Sequence, residues 1–221
     1  MIPWVRVDTA ATPGGGELRL MQRGFEFSIT IDGAELMNSR RGGSEVALAE
    51  LACERLRDRT AAAVLIGGLG MGFTLRATLA ALGPKAEVTV AELVPAVVGW
   101  ARGPLAEVFG GILDDPRTRI VEADVRTLID GQDVYDAILL DVDNGPDDLV
   151  QPDNAGLYTE AGLAAARRAL RPGGVMAIWS ASGDDAFVRR LRRAGYAVEE
   201  KMARSGGKKG ARHIVWLATP R

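Results

Sequence analysis

The residues of this chain that could do chemistry are a run of glycines and several acids that follow short apolar segments. Residues 63–73, AVLIGGLGMGF, place Gly68, Gly70 and Gly72 at alternate positions directly after an apolar run typical of a buried strand. A backbone without Cβ can turn sharply and lie against a ligand. Strand, glycine turn and helix form the nucleotide- or nucleoside-binding corner of α/β folds, so we expect a ligand here.

The spacing of the glycines selects among these ligands. A dinucleotide fingerprint, G-x-G-x-x-G, that started at Gly68 would need its third glycine where Phe73 stands. The pattern that fits instead is G-x-G-x-G, which is typical of proteins that bind S-adenosylmethionine, a ligand without a pyrophosphate. Leu69 and Met71, the residues between the glycines, are predicted to belong to the same cofactor-binding loop.

Two acids at predicted strand ends are candidates for holding the adenosyl part of such a cofactor. Glu92 lies about 20 residues past Gly72, where a carboxylate can accept hydrogen bonds from both ribose hydroxyls. Asp124 follows the next strand, where an acid can receive the adenine amino group, but it also precedes a helix that it could simply N-cap. Leu93 and Val125, the residues that follow these acids, are predicted to line the same pocket.

The transfer chemistry is predicted around a third acid. Asp141 ends an apolar strand beside the glycine corner, close to where a transferable group would lie. Asp143 and Asn144 follow in the most acidic loop of the chain, which favours a cationic or amine acceptor. These three are the predicted catalytic residues, with the last two orienting the acceptor. Tyr158 and Trp179 are predicted to wall its pocket, the alternative being that they are core residues.

The elements that must position these residues alternate between strand and helix from residue 63 onward. Such alternation predicts a largely parallel, doubly wound sheet whose ligands lie at the carboxyl ends of the strands. The last two strands must be antiparallel, because their connection is too short for a crossover helix. This is the arrangement of the Rossmann-like class I methyltransferase fold. The seven predicted strands are 64–67, 87–91, 118–122, 137–140, 175–179, 197–202 and 213–218.

Residues 1–43 are predicted to be a small β extension. Segments 4–7, 17–21 and 25–31 alternate between apolar and polar residues and are separated by turn residues, which indicates a hairpin or meander. So few strands do not fold alone. We therefore expect this extension to pack on, or form a lid over, a main domain of residues 44–221.

Composition excludes several classes of function. The 27 basic and 29 acidic residues give a net charge near −2, which argues against a nucleic-acid partner. A single cysteine, Cys53, and a single histidine, His213, argue against a disulfide framework, a metal site and a Ser-His-Asp triad. The chain also lacks a signal-peptide pattern and an apolar run of roughly 20 residues, so we expect a cytoplasmic protein without a membrane partner.

From about residue 31 to 174 the chain resembles the spermidine synthase (polyamine aminopropyltransferase) family, a branch of the S-adenosylmethionine methyltransferase superfamily. The matching blocks are 31–33 (IDG), 64–66 with the glycine turn and 74–76 (TLR), 115–117 (DPR), 123–124 (AD), 135–138 (YDAI) leading to Asp141, 157–160 (LYTE) and 167–174 (RRALRPGG). The resemblance implies the same fold, S-adenosylmethionine or its decarboxylated form as cofactor, and a homodimer.

Two departures from the family pattern fall at its chemical positions. Met71 stands where the family's glycine loop carries an aspartate, and Asn144 stands at the aspartate that helps to deprotonate the attacking amine. An amide does not act as a general base at neutral pH. We therefore predict an S-adenosylmethionine-dependent methyltransferase acting on a small acceptor. The alternatives are an aminopropyltransferase that uses decarboxylated S-adenosylmethionine, with Asp143 as base, and a non-catalytic protein that binds an S-adenosyl ligand.

Overall fold

The computed structural model describes residues 2–142, 155–207 and 209–221, which form two sheets with helices around the larger one. The smaller sheet is antiparallel, with its strands in chain order. These are β1 (Val5–Ala11), β2 (Glu17–Arg23), β3 (Glu26–Ile31) and β4 (Ala34–Asn38). The sequence predicted three strands here and missed β4. Its residues AELMN show no alternation, and they form a strand by pairing with β3.

The small sheet packs on the rest of the chain through apolar residues of its inner strands. Leu18 of β2 and Phe27 and Ile29 of β3 are buried, and they share one core with Leu48 of helix α1 (Gly43–Glu54). This contact agrees with the expectation that the extension packs on the main domain. The boundary between residues 43 and 44 stays a prediction.

The larger sheet has seven strands in the order β10-β11-β9-β8-β5-β6-β7. Strands β5 to β9 run parallel, and β11 is antiparallel to both of its neighbours. This confirms the predicted class I methyltransferase fold with its antiparallel C-terminal hairpin. The strands are β5 (Ala63–Gly67), β6 (Glu87–Glu92), β7 (Thr118–Glu122), β8 (Tyr135–Leu140), β9 (Leu170–Ser180), β10 (Tyr196–Arg204) and β11 (Arg212–Pro220).

Helices cover both faces of this sheet. After α1 they are α2 (Phe73–Ala81), α3 (Pro95–Arg102), α4 (Ala106–Phe109), α5 (Ala155–Tyr158), α6 (Glu160–Ala169) and α7 (Asp185–Arg193). Gly103 and Pro104 lie between α3 and α4 and keep them separate helices. The helix predicted to follow Asp124 is a 3₁₀ turn, Val125–Leu128. Among the described helices, none is long and apolar enough to cross a membrane.

The central strands explain why the ligand-facing residues share one edge. In β5, Val64 and Ile66 pack into the core that contains α1 and the small sheet, while Leu65 packs into the core on the opposite face. A strand buried on both faces reads as the continuous apolar run that the sequence shows. Because β5 to β9 are parallel, their carboxyl ends meet at one edge, and the glycine turn, Glu92 and Asp141 lie there.

Candidate active site

The glycine turn between β5 and α2 adopts a backbone that other residues rarely take. Gly68, Gly70 and Gly72 have φ angles of +90°, +51° and +76°. A Cβ on Gly68 would lie 2.3 Å from the carbonyl oxygen of Asp141, so the turn passes directly against the end of β8. The N–H of Gly68 also donates a hydrogen bond to the carbonyl of Ala91 at 2.8 Å. The turn is thereby held between the ends of two neighbouring strands.

Glu92 binds the backbone of the glycine turn through its side chain. It ends β6, its side chain is buried, and its carboxylate accepts hydrogen bonds from the backbone N–H groups of Leu69 and Val94, each at 2.9 Å. Burial raises the pKa of Glu92, while the backbone N–H groups around it oppose that rise. The backbone N–H groups of Leu93 and Gly70 also lie close to this carboxylate, so it is surrounded by the donors of the turn and of the residues after β6.

A first compartment opens above this edge of the sheet, and the predicted cofactor residues largely meet in it. Its described lining is Leu18, Ile29, Leu36, Met37, Gly68, Gly70, Ala91, Glu92, Leu93, Val94, Val97, Ala123, Asp124, Val125, Asp141 and Val142. Of the predicted cofactor-binding residues, Gly72 is not part of this lining. Leu69 and Met71 line a second compartment instead. The four apolar residues from the small sheet were not predicted. The alternation around Leu18 and Ile29 indicates a buried face but does not show what that face covers, and the strand that carries Leu36 and Met37 was not predicted.

Asp124 lies at the rim of the first compartment with its carboxylate already engaged. One oxygen accepts from the backbone N–H of Arg126 at 2.8 Å, and the other from its guanidinium at 2.6 and 2.9 Å. Burial would raise the pKa of Asp124, but the hydrogen bonds from Arg126 outweigh it and lower the pKa. The N-cap role that the sequence offered as an alternative is therefore present, and the adenine contact stays a prediction.

A second compartment adjoins the first. Its described lining is Leu36, Met37, Glu45, Leu69, Gly70, Met71, Phe73, Asp141, Val142 and Trp179. Five of these residues also line the first compartment, so the two are continuous and meet at Gly70 and Asp141. Trp179 belongs to this lining, and its predicted part in acceptor binding stays a prediction. Glu45 was not predicted, because nothing in the spacing of the chain relates the first turn of α1 to the end of β8.

Tyr158 lies apart from both compartments as far as their described lining shows. Its side chain is buried, and its ring packs edge-on against Phe187, with 5.6 Å between ring centroids. Its predicted part in acceptor binding stays a prediction. Asp143 and Asn144, the other two predicted acceptor residues, lie outside the described residues.

Asp141 is the predicted residue with the most unusual electrostatics. Its carboxylate accepts a hydrogen bond from the hydroxyl of Thr74 at 2.8 Å, and its N–H donates to Gly67 at 3.0 Å. Burial raises the pKa of Asp141 to about 7, the negative charge of Glu45 adds to the rise, and the Thr74 hydroxyl opposes it. Asp141 therefore gains and loses a proton near neutral pH.

The charged side chains that line the two compartments, within the described part of the chain, are all acidic: Glu45, Glu92, Asp124 and Asp141. No group of three or more His, Cys, Asp or Glu residues that could hold a metal ion occurs among residues 2–142, 155–207 and 209–221. Acidic side chains around a cavity suit positively charged ligands.

Curated relatives of this chain are polyamine aminopropyltransferases. That of Mycobacterium tuberculosis (strain CDC 1551 / Oshkosh) is 33% identical over 192 residues, which cover 82% of this chain and 35% of the relative. Polyamine aminopropyltransferase 1 of Streptomyces coelicolor is 37% identical over 149 residues, or 62% of this chain and 27% of the relative. The chain thus spans about a third of the length of these relatives. No protein-family model matches it.

Solved structures with this fold include two spermidine synthases. The enzyme of Thermotoga maritima has a TM-score of 0.76 at 20% identity, covering 96% of this chain and 72% of that one. A spermidine synthase in complex with the transition-state analogue AdoDATO has a TM-score of 0.75 at 19% identity, covering 96% and 71%. At such identities the structural likeness speaks for the fold, while the curated relatives carry the likeness in sequence.

Proposed function

On the premise that this chain is a spermidine synthase-like protein with the class I methyltransferase fold, we propose that it transfers an aminopropyl group. The donor is decarboxylated S-adenosylmethionine, and the acceptor is a small amine. The observation that carries the proposal is the charge of the two compartments, whose described charged residues are all acidic. This replaces methyl transfer, the prediction made from the sequence, with the alternative named beside it.

The charge of the lining distinguishes the two donors. S-adenosylmethionine carries a carboxylate, which needs a cation or several N–H donors close by. The decarboxylated form lacks that group and carries two positive charges, on the sulfonium and on the amine. A compartment with acidic side chains and no described lysine or arginine in its lining favours the second donor. Met71 adds no charge of either sign on the acceptor side.

The residues of the first compartment bind the donor in this proposal. In the first, Glu92 accepts hydrogen bonds from ribose hydroxyls, and Asp124 with Leu93 and Val125 borders the adenine. The bare backbone of Gly70 leaves room for the donor's chain to reach Asp141. The donor supplies an activated leaving group, its sulfonium. The protein's contribution is therefore mainly to hold the two reactants close and aligned.

Incubation of the purified chain with each donor tests the proposal. With decarboxylated S-adenosylmethionine and putrescine, we expect methylthioadenosine and spermidine, both identified by mass spectrometry. With S-adenosylmethionine and the same amine, we expect no S-adenosylhomocysteine. S-adenosylhomocysteine as the only product would favour methyl transfer. Donor binding without turnover across a panel of amines would favour the non-catalytic alternative. The homodimer that the resemblance implies is tested separately by light scattering.

A further inference from the structure

We propose that Glu45 is the carboxylate that binds the acceptor's amino group and receives the proton this group loses. The inference rests on the proposed function and gives Glu45 the role of base that the sequence pattern offered to Asp143, which lies outside the described residues. Its first support is the position of Glu45, which with Asp141 supplies the charged residues in the described lining of the second compartment. That compartment adjoins the donor's compartment, which is where an acceptor must stand for direct transfer.

The first turn of α1, which carries Glu45, is fixed from two sides. The N–H of Gly43 donates to the carbonyl of Ser205, at the end of the β10–β11 hairpin, at 3.0 Å. Gly42 lies against the ring of Phe73, so closely that a Cβ there would fall 2.1 Å from a ring carbon. The side chain of Glu45 therefore projects into the compartment from a backbone that packing holds in place, as a ligand-binding group requires.

The charge of Glu45 is not neutralised by the protein in the described part of the chain. The hydroxyl of Ser44 donates to its carboxylate at 2.5 Å, but no described lysine or arginine forms an ion pair with it. Asp141 does not compensate, since the charge of Glu45 helps to keep a proton on it. His213 does not compensate either, because burial lowers its pKa by more than the charge of Glu45 raises it. A cationic ligand would supply the missing charge.

Aromatic rings give a second reason, independent of the carboxylates, to expect an ammonium group here. Phe73 and Trp179 both line the compartment. The indole of Trp179 is held by stacking on His213, with ring centroids 4.8 Å apart and planes 30° apart. Aromatic faces attract cations, and the attraction grows when the site excludes water. The carboxylate of Glu45, the carboxyl group of Asp141 and two aromatic rings around one cavity match the chemistry of an alkylammonium ligand.

Glu45 takes part in the transfer as the acceptor of one proton. The acceptor binds as an ammonium, gives one proton to the Glu45 carboxylate, and exposes a lone pair. Its nitrogen then forms a bond to the donor carbon next to the sulfonium. The carbon–sulfur bond breaks, and its electron pair stays on sulfur as the thioether of methylthioadenosine. The product is a secondary ammonium, and Glu45 passes its proton to solvent as the product leaves.

The test compares Glu45→Gln with Glu50→Gln, which removes an exposed carboxylate from the same helix. Loss of a charge-assisted hydrogen bond predicts that Glu45→Gln lowers kcat/KM for putrescine about 10- to 100-fold. The KM for the donor should stay within about twofold of wild type, and Glu50→Gln should match wild type. Glu45→Asp keeps the charge but shortens its reach, so it should retain putrescine binding and lose turnover. Equal kinetics of Glu45→Gln and wild type would overturn the inference.

A binding experiment separates failure of this inference from failure of the proposed function. If wild type forms no aminopropyl product with any amine, the proposed function fails. Putrescine is then titrated into the methylthioadenosine-saturated protein in a calorimeter. Binding that Glu45→Gln loses and Glu50→Gln keeps supports the role of Glu45 as an amine-binding residue. Equal binding by both variants, or no binding by wild type, overturns it. Circular dichroism melting of each variant checks that the fold is intact.

Discussion

The two compartments that meet at Gly70 and Asp141 differ in the partners that the protein gives to their acidic side chains. In the first, Glu92 accepts two backbone N–H groups and Asp124 is paired with Arg126, so both carboxylates have partners before any ligand arrives. In the second, Glu45 has no cationic partner among the described residues, and burial together with the charge of Glu45 raises the pKa of Asp141. The acids of the first compartment are thus partnered within the protein, whereas we propose that a ligand supplies the cationic partner of Glu45 in the second.

This difference indicates what each compartment can recognise. Carboxylates that already have donors discriminate by shape and by neutral hydrogen bonds, which suits a nucleoside. A carboxylate without a counter-charge in a half-buried site gains most from a cation, because its desolvation is otherwise uncompensated. Changes in the first compartment should therefore act on folding and donor binding together. Substitutions in the second should change the binding of a cation and the pKa values of the acidic side chains.

The largest effect should come from the backbone contact that joins the compartments. In Gly68→Ala, the new Cβ would lie 2.3 Å from the Asp141 carbonyl at a φ of +90°. Left-handed strain and overpacking together should lower the free energy of unfolding by about 3 to 5 kcal/mol, measured by urea denaturation. Gly83→Ala is the control, since its Cβ would meet nothing within 4 Å. Similar stability of both variants would mean that this contact does not hold the compartments together.

The protonation of Asp141 should make the second compartment sensitive to pH. The folded protein raises the pKa of Asp141 to about 7, so it keeps a proton that the unfolded chain has already released. That contribution to stability is complete below the ordinary aspartate pKa of about 3.9 and is lost as the pH rises through about 7. Relative to Asp141→Asn, wild type should lose on the order of 4 kcal/mol of unfolding free energy between pH 4 and 8.

Urea unfolding of wild type and Asp141→Asn across this pH range gives the measurement. Asp130→Asn, which removes an exposed carboxylate, is the control and should show a nearly constant difference from wild type. In Glu45→Gln the dependence should shrink, because one cause of the raised pKa of Asp141 is gone. A difference between wild type and Asp141→Asn that stays flat from pH 4 to 8 would contradict the proposed state of the second compartment.

Glu92→Gln tests whether the first compartment is built around its acid. A glutamine can accept one of the two backbone N–H groups with its oxygen, but its NH₂ group then faces the other donor. We expect a loss of about 1 to 3 kcal/mol in unfolding free energy and a 10- to 100-fold weaker affinity for methylthioadenosine by calorimetry. Glu87→Gln, at the exposed start of the same strand, should change neither quantity. Unchanged methylthioadenosine affinity in Glu92→Gln would refute the ribose-binding role.

Features that depend on one strand and its neighbours in the chain were predicted best from the sequence. The apolar runs of β5 and β8 gave the strands, and the alternation of strand and helix gave the fold, so Glu92 and Asp141 could be placed at strand ends in advance. The contribution of Met37 and of Glu45 could not be predicted. Each lies on an element whose packing partner is distant along the chain, and periodicity shows only that a face is buried, not against what.

Asp124 is the residue for which the sequence offered two roles and the structure shows one. The cap on the turn that starts at Val125 is present, so an effect on folding alone would not show that the residue also meets adenine. Asn is as good an N-cap as Asp, whereas Ala is not. Comparing the two substitutions therefore separates capping from ligand binding.

The smallest effects are expected from this pair. Asp124→Asn keeps the cap and loses a half-exposed ion pair with Arg126, so its unfolding free energy should fall by less than about 1 kcal/mol. Asp124→Ala should lose about 1 kcal/mol, because the cap is gone. If the carboxylate also receives the adenine amino group, both variants should bind methylthioadenosine about 3- to 10-fold more weakly in a calorimeter. If capping is its only role, Asp124→Asn should bind as tightly as wild type. The second result would leave Glu92 as the acid that recognises the adenosyl group.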